Sequence, residues 1–468
     1  MPLFQTVQSH KYLMSKSIKL KKGFNINLAG KAEKKLADSH QRVTFAIKPT
    51  DFVGMQRPKV LVNIGDNVKS GQPVLIDKKL EAVLYTAPVS GEVVEINRGA
   101  KRSLLEIVIL ADKEIQYESF KSYSSSEIQE VSREDAQSQM LVSGVWPQII
   151  QRPYGVVANP EETPKSIFIS AFDSSPLAPD YNYIFKGKEK EFQAGVDVLK
   201  KFTSGKIHVT TDGDGDVNSM FTQMSGVNNN RIQGPHPVGN VGIQIHHIDP
   251  ICKGDLVWTV NPFGVIQIGK LFLEGKYDAS KVIAIAGSEI NTPQYIKTYL
   301  GANIKEFVKD NLKSDNVRCI SGNPLTGERI SDAGYLGFYH HQLTVIPEGD
   351  YQELFGWVLP SSKKLSFHRA LGLLSFLNNK NKEYVIDTNT KGEPRAFVQT
   401  GAFEKVVPMD ILPTYLIKSI LAEDFEEMEA LGIYEIIEED FALCEFIDVS
   451  KHDIQSIVRD GLNLMQYS

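Results

Sequence analysis

Apolar and polar residues follow three successive rhythms along this chain. From residue 16 to about 120, short apolar–polar alternations are interrupted by Gly, Asp and Pro, as in "SIKLKKGFNINLAG", "VTFAIKP" and "VLVNIGDNVKSGQPVLIDKKLEAVLYTAPVSGEVVEINR" over 60–98. Period two with frequent turn residues predicts short strands and tight turns. From about 165 the rhythm becomes strand then helix: "KSIFISAFD" is a buried strand, and "KEKEFQAGVDVLKKF" puts Phe192, Val196, Leu199 and Phe202 on one helical face. "KIHVTT" is the next strand, "GNVGIQIHHI" a helix and "LVWTVN" a strand, so a parallel sheet covered by helices is expected. The third rhythm, from about 405, is largely helical: "PMDILPTYLIKSILA", "DFEEMEALG" and "HDIQSIVRDGLNLM".

Local signals refine this outline. The serine-rich stretch 122–137 reads as a linker turning helical, with Ser132 or an upstream serine as the cap. A smaller unit opens near 262, with "VIAIAG" and "NVRCISG" as strands. Between them, "TPQYIKTYLG" reads as a helix with Thr292 as N-cap, Pro293 at its first position and Gly301 as stop. The domains expected are therefore 16–120, β-rich; 121–261, α/β; 262–350, β-grasp-like; and 351–468, largely helical. Residues 1–13 form an extension ahead of the ordered pattern, and Met14 is an alternative start.

The 468 residues are 42% apolar and 23% charged, the composition of a folded, water-exposed protein. No apolar run approaches the ~18 residues that a membrane-spanning helix needs; "KVIAIAGSEI" and "ALGLLSFL" are of core size. A net charge of −6 argues against general nucleic-acid binding. The charge is uneven: residues 11–35 hold eight lysines against Glu33, and residues 419–450 hold eleven acids with no Lys or Arg. Both runs read first as solvated faces, and second as surfaces for a protein partner or membrane surface. Cys252, Cys319 and Cys444 are far apart, which excludes a four-cysteine iron–sulfur cluster and a disulfide framework.

Four stretches invite a chemical reading. The 60–98 block resembles a lipoyl or biotinyl carrier hairpin, but its turn, counted from either side, falls at Leu80 or Glu81. Neither count reaches Lys78 or Lys79, so a carrier scaffold without a modified lysine is expected. "TTDGDGDVNSMF" (210–221) sits where a phosphate loop would, yet Asn218 replaces the third glycine and Asp212, Asp214 and Asp216 would repel phosphate. An EF-hand fails there too, with Val217 and Gln223 at the required Gly and Glu; a tight turn with Asp216 as helix cap is the simpler reading. "GPHPVGNVGIQIHHIDPICKGD" gathers His236, His246, His247 and Cys252 without the close ligand pairs of a zinc site. His340 and His341 read as structural. No nucleophile elbow, Walker loop or HExxH is present, so no catalytic site and no metal site is expected.

Six ordered strings then carry a resemblance: "GPHPVGNVGIQIHHIDP", "VWTVNPFGVIQIGKLF", "RCISGNPLTGERISDAGYLGFYHHQLTVI", "ELFGWVLP", "MDILPTYLIKSILAEDFEEMEALG" and "EEDFALCEF". With "IKLKKGFNINLAGKAE", they make residues 16–468 similar to the NqrA proteins of sodium-translocating NADH:quinone oxidoreductases, relatives of RnfC. The resemblance implies an α/β multidomain protein: a barrel-sandwich hybrid at 60–98, a Rossmann-like α/β domain, a β-grasp domain of the SLBB type and a helical C-terminal region. It implies a peripheral component on the cytoplasmic face of the bacterial inner membrane, partnered by the other five Nqr subunits, most directly the membrane-embedded NqrB. FMN, riboflavin and Fe–S centres would sit in those partners, with none tightly bound here. Quinone is the ligand implied for NqrA-type chains, and Phe172, His236, His246 and His247 are its candidate contacts, since a neutral imidazole can hydrogen-bond a quinone carbonyl. The alternative is an RnfC-like electron-transfer protein with its own flavin or nucleotide, against which Asn218 and the missing cysteine clusters count. Cys444 is followed by "EFIDVSKH", without the second cysteine that many related chains carry.

Overall fold

Strand Ser166–Ser170 is buried along nearly its whole length, and its alternation feeds two faces. Ile167 and Ile169 join the main core, and Phe168 joins a smaller one with Ile245, Ile251 and Val257. Such a strand lies between helical layers. In the computed structural model of the protein, which describes residues 16–38, 43–215, 219–355, 364–368, 382–398 and 401–467, it is the centre of a seven-stranded sheet. The order is Lys16–Lys19, Asn228–Gln233, Lys206–Asp212, Ser166–Ser170, Val257–Thr259, Ile150–Arg152, Val156–Val157. The first five strands are parallel, and the last two close the sheet antiparallel.

Helices Glu189–Leu199 and Pro262–Glu274 cross at glycine contacts on one face of this sheet. A Cβ on Gly269 would lie 1.8 Å from the Glu191 carbonyl oxygen, and one on Gly195 would lie 2.0 Å from that of Val265. Gly269→Ala is therefore expected to force the helices apart and destabilise by about 1–3 kcal/mol, measurable by urea titration. The helix Pro262–Glu274 thus packs on the α/β layer, whereas the sequence pattern put it at the head of the smaller unit.

A six-stranded sheet follows, in the order Glu328–Ile330, Val317–Ser321, Gln342–Pro347, Ser280–Ala286, Gln294–Tyr299, Glu33–Asp38. Gln294–Tyr299 corrects the helix expected over 292–301. The strand pairs antiparallel with Ser280–Ala286 from Gln294↔Ile285 to Tyr299↔Ser280. Tyr295, Ile296 and Thr298 are buried there and Lys297 is exposed. Aromatic and β-branched residues fit this pleated surface, and the ladder overrides a helix signal that rested on terminal residues alone. The N-terminal segment is also divided, because Lys16–Lys19 and Glu33–Asp38 are edge strands of the two large sheets.

Two small sheets share a core in the carrier-like region: Thr44–Ile47, Leu104–Ala111, Gly91–Arg98 and Asn67–Val68 in one, and Pro58–Val60, Pro73–Asp77 and Leu84–Thr86 in the other. The hairpin turn lies between Asp77 and Leu84, with Val83 buried and Leu80 half-buried; Lys78 and Lys79 are exposed, and the Lys79 ammonium sits 5.2 Å over the Tyr467 ring. The serine-rich stretch forms two capped helices. Ser124 and Glu127 make a reciprocal capping box on Ser125–Glu130, and the Ser132 hydroxyl accepts from the Asp135 N–H on Arg133–Ser143. Asp216, Met14 and "ALGLLSFL" lie outside the described residues.

The C-terminal helices include Pro413–Leu421, Phe425–Ala430, Ala442–Ile447 and Ile454–Tyr467. Pro413–Leu421 ends in a Schellman arrangement: Asp424 N–H donates to Ser419 O and Glu423 N–H to Ile420 O. Glu423 takes the left-handed position (φ 54°) where glycine is usual. Glu423→Gly is expected to stabilise the fold by roughly 0.5–1 kcal/mol, seen as a raised thermal midpoint.

The acidic run 419–450 is not simply a solvated face. Arg152 is buried and its guanidinium reaches Asp440 at 2.9 Å and Glu439 at 2.7 Å. Arg459 pairs with Glu438 and donates to the Tyr154 carbonyl. Glu429 pairs with Lys253, Glu435 with His246 and Asp448 with His452. Glu429, Glu435, Glu439 and Asp440 thus fasten the C-terminal helices to the α/β layer, and Glu438 and Asp448 pair within the C-terminal region.

Candidate functional site

Parallel strands end on one side of a sheet with their connecting loops splayed, and ligands of open α/β folds sit in the crevice so formed. Here the carboxyl ends of Ser166–Ser170, Lys206–Asp212 and Asn228–Gln233 open onto a cavity of about 910 Å³. Its wall is the 171–182 loop, faced by Asn25, Asn27, Lys31 and Lys34 from the N-terminal segment. That segment is pinned across the strand ends: Phe24 N–H donates to His236 O at 2.8 Å, and His236 N–H to the Asn25 side chain at 2.7 Å. Gly23 permits this approach, since a Cβ there would lie 2.2 Å from the His236 carbonyl oxygen.

Charge in the crevice is mostly negative. The Asp173 carboxyl takes the Ser175 N–H at 2.7 Å, and burial raises its pKa. Asp212 and Asp214 stand at the mouth, where Asp214 N–H turns back to the Asp212 carboxylate at 2.9 Å. The Lys34 ammonium is spoken for by Asp180 at 2.6 Å. The helix after this loop, Ser219–Thr222, has four residues and brings little dipole to an anion. Carboxylates at the mouth and a one-turn helix behind them account for the degraded look of the "TDGDGDVN" loop as a phosphate cradle.

The four sequence candidates do not share one wall. Phe172 is half-buried and lines the crevice. His236 lies just behind it, its Nδ1 3.0 Å from the Ser174 hydroxyl, which also accepts from the Gly239 N–H. Burial lowers the His236 pKa to about 4, so the ring is neutral at physiological pH. His246 and His247 sit on helix Val241–Ile248 and face the C-terminal region. His246 Nε2 accepts from the Asp410 N–H at 3.0 Å, which leaves Nδ1 to donate to Glu435 at 2.6 Å. His247 Nε2 donates to the Pro408 carbonyl at 2.7 Å. Adjacent histidines point to different partners because successive helical side chains diverge by about 100°.

The "GFYHHQ" loop, whose His340 and His341 read from sequence as structural, is a joint between units. Phe338 N–H donates to Asp51 at 2.9 Å, and the Tyr339 hydroxyl to the Pro147 carbonyl at 2.6 Å. His340 Nδ1 is 2.8 Å from the Ser321 hydroxyl, and the His341 ring packs on Phe263 and Tyr181. Beneath the loop the buried Lys281 ammonium donates to the His340 carbonyl at 2.6 Å and sits 5.1 Å over the Phe263 ring. Burial lowers its pKa to about 7 and raises that of Asp51, a partner of Lys48, to about 6. The two adjacent histidines were the visible signal; Lys281, inside an apolar strand, left none beyond its presence there.

Among the described residues no group of three or more His, Cys, Asp or Glu is placed to hold a metal ion, and no helix is long and apolar enough to cross a membrane.

Family models match three successive stretches of the chain, and relatives match 96% of it. Residues 18–112 match the NqrA N-terminal barrel-sandwich hybrid domain, 131–277 the NqrA second alpha/beta domain and 282–332 the NQRA C-terminal domain. The A component of the Na(+)-translocating NADH-quinone reductase of Yersinia pestis bv. Antiqua (strain Angola) is 39% identical over 451 residues, covering 96% of this chain and 99% of its own. Proteins of the same description from Alcanivorax borkumensis and Neisseria meningitidis serogroup B are each 37% identical, with the same coverage. A solved chain of an NAD+-reducing [NiFe]-hydrogenase overlaps 75% of this chain and 66% of its own at 9% identity and a TM-score of 0.38, too loosely to carry an argument. This chain belongs to the NqrA family of the Na+-translocating NADH-quinone reductases.

Proposed function

We propose that this chain works as a peripheral component of a sodium-translocating NADH:quinone reductase, on the cytoplasmic face of the bacterial inner membrane. It holds no tightly bound redox centre of its own. FMN, riboflavin and Fe–S centres belong to the other five Nqr subunits, and the membrane-embedded NqrB is its direct neighbour. The observation that carries this reading is the near end-to-end similarity to NqrA proteins, at 96% and 99% coverage. An acidic crevice mouth supports the absence of a nucleotide, because phosphate would meet Asp212 and Asp214 there. The purified chain is accordingly expected to show no stoichiometric flavin absorbance; tightly bound FMN would overturn this and favour an RnfC-like electron carrier.

Within this role the chain contacts quinone. Phe172 offers an aromatic wall and His236 a neutral imidazole behind Ser174, the pairing of apolar surface and few polar groups that such ligands need. His246 and His247, the other two candidate contacts, stand apart from this wall and hold the C-terminal region through Glu435, Asp410 and Pro408. Photo-crosslinking of the assembled complex with an azido-quinone tests the assignment. Label in 171–182 or 234–238 is expected; label confined to the other subunits would remove quinone from this chain.

A further inference from the structure

A helix that packs on one face shows its unused face plainly. In Pro413–Leu421, Leu416, Ile417 and Ile420 are buried, and Ile420 packs against Gly461 of the last helix. Leu412 and Tyr415, one turn apart, are 50% and 48% exposed. Leu421, the final residue of the helix, is 54% exposed, and Phe425, just past the Schellman turn, is 40% exposed. At about 100° per residue Leu412 and Leu421 lie on opposite sides of the helix, and exposed Lys418 stands between Tyr415 and Leu421, so the apolar pair at the helix end is Leu421 with Phe425. Exposed large apolar side chains bracketing one turn mark an interaction surface.

The charge around this face separates it from the rest of the acidic run. Glu429, Glu435, Glu438, Glu439, Asp440 and Asp448 are paired within the chain, and Asp424 caps the helix Phe425–Ala430. Glu423, Glu426 and Glu427 are exposed and, among the described residues, no cation pairs with them. The one nearby lysine on the helix, Lys418, lies over the Phe397 ring at 5.7 Å. A second copy of this chain is a poor occupant, because a two-fold contact would bring acidic rim against acidic rim.

We propose that the exposed pair Leu421 and Phe425, rimmed by Glu423, Glu426 and Glu427, docks an apolar segment flanked by lysines or arginines from another protein of the complex. This rests on the chain's place in a multi-subunit assembly. The apolar residues supply contact and the carboxylates steer and select a basic partner.

The test uses the full chain and membranes from cells that lack it but make the other subunits. Leu421→Ser/Phe425→Ser is expected to weaken binding to these membranes at least tenfold. Glu423→Gly/Glu426→Gln/Glu427→Gln is expected to weaken it about 3–10-fold at low salt and less at high salt. Because Glu423→Gly relieves backbone strain, its loss of binding cannot be put down to unfolding. A photo-crosslinking phenylalanine at position 425 should capture a peptide of another Nqr protein with at least two Lys or Arg, and the same group at exposed Lys190 should not. Equal binding by the variants, or capture at 425 of lipid, of a second copy or of an acidic peptide, overturns the docking face alone. Failure of the unaltered chain to bind these membranes overturns the assembly reading as well.

Discussion

Asp440→Ala is expected to lower the stability of the folded chain by about 3–5 kcal/mol, the largest single-residue effect in the C-terminal region. Asp440 and Arg152 have side chains 0% and 2% exposed, and their 2.9 Å contact spans 288 positions of sequence. Removing the carboxylate leaves a guanidinium deep in the protein with only Glu439 beside it, and it strips the Ile437 N–H of its acceptor. An unmatched buried charge costs more than the pair contributes. Arg152→Met/Asp440→Leu, which removes both charges and keeps apolar volume, is therefore expected to recover most of the loss. Urea unfolding followed through buried Trp146 and Trp258 reads both results. A neutral Asp440→Ala would mean that the C-terminal helices are not fastened through this pair.

The second large effect is a pH dependence set by Lys281. Its pKa falls from 10.5 in the unfolded chain to about 7 in the fold, chiefly by burial. Between those values the unfolded chain holds a proton that the folded chain has released, so stability rises as pH climbs through the window. The full window corresponds to on the order of 5 kcal/mol, and the interval from about pH 7.5 to 9 to about 2 kcal/mol. Burial raises the thiol pKa of Cys319 to about 11 and also raises that of Cys444, so above the ordinary thiol value of 9.0 the unfolded chain loses protons that the fold keeps and stability falls with pH; the interval below that belongs mainly to the lysine. Lys281→Met is expected to flatten the slope there. Denaturant midpoints of both chains at three pH values decide it, and parallel slopes would show that Lys281 keeps its proton in the fold.

What the sequence disclosed depended on how far each structural decision reaches along the chain. The Ser166–Ser170 strand, the Phe192–Phe202 helical stripe and the Ser132 cap are decided by residues within a turn or two, and all were legible. Gln294–Tyr299 was misread because Thr-Pro and Gly301 imitate helix ends, while its strand state is settled by the ladder to Ser280–Ala286. The weaker signal was present in Tyr295, Ile296 and Thr298, residues that favour a pleated surface. The acidic run looked like a solvated face because Arg152, His246 and Lys253 are distant in sequence. The β–α–β rhythm disclosed the parallel sheet but not the crevice at its strand ends, and the union of Phe172 with His236 there, like the separation of both from His246 and His247, depends on loop paths that no spacing encodes. The family resemblance was legible because it rests on ordered strings rather than on any one site.

Inverted membrane vesicles from cells lacking only this chain test the central claim most directly. NADH-driven quinone reduction and sodium uptake are measured before and after adding the purified chain. The account predicts that both are lost in the vesicles and return together on addition, with no flavin or iron supplied by the added protein. Full quinone reduction and sodium uptake in vesicles without the chain would contradict it.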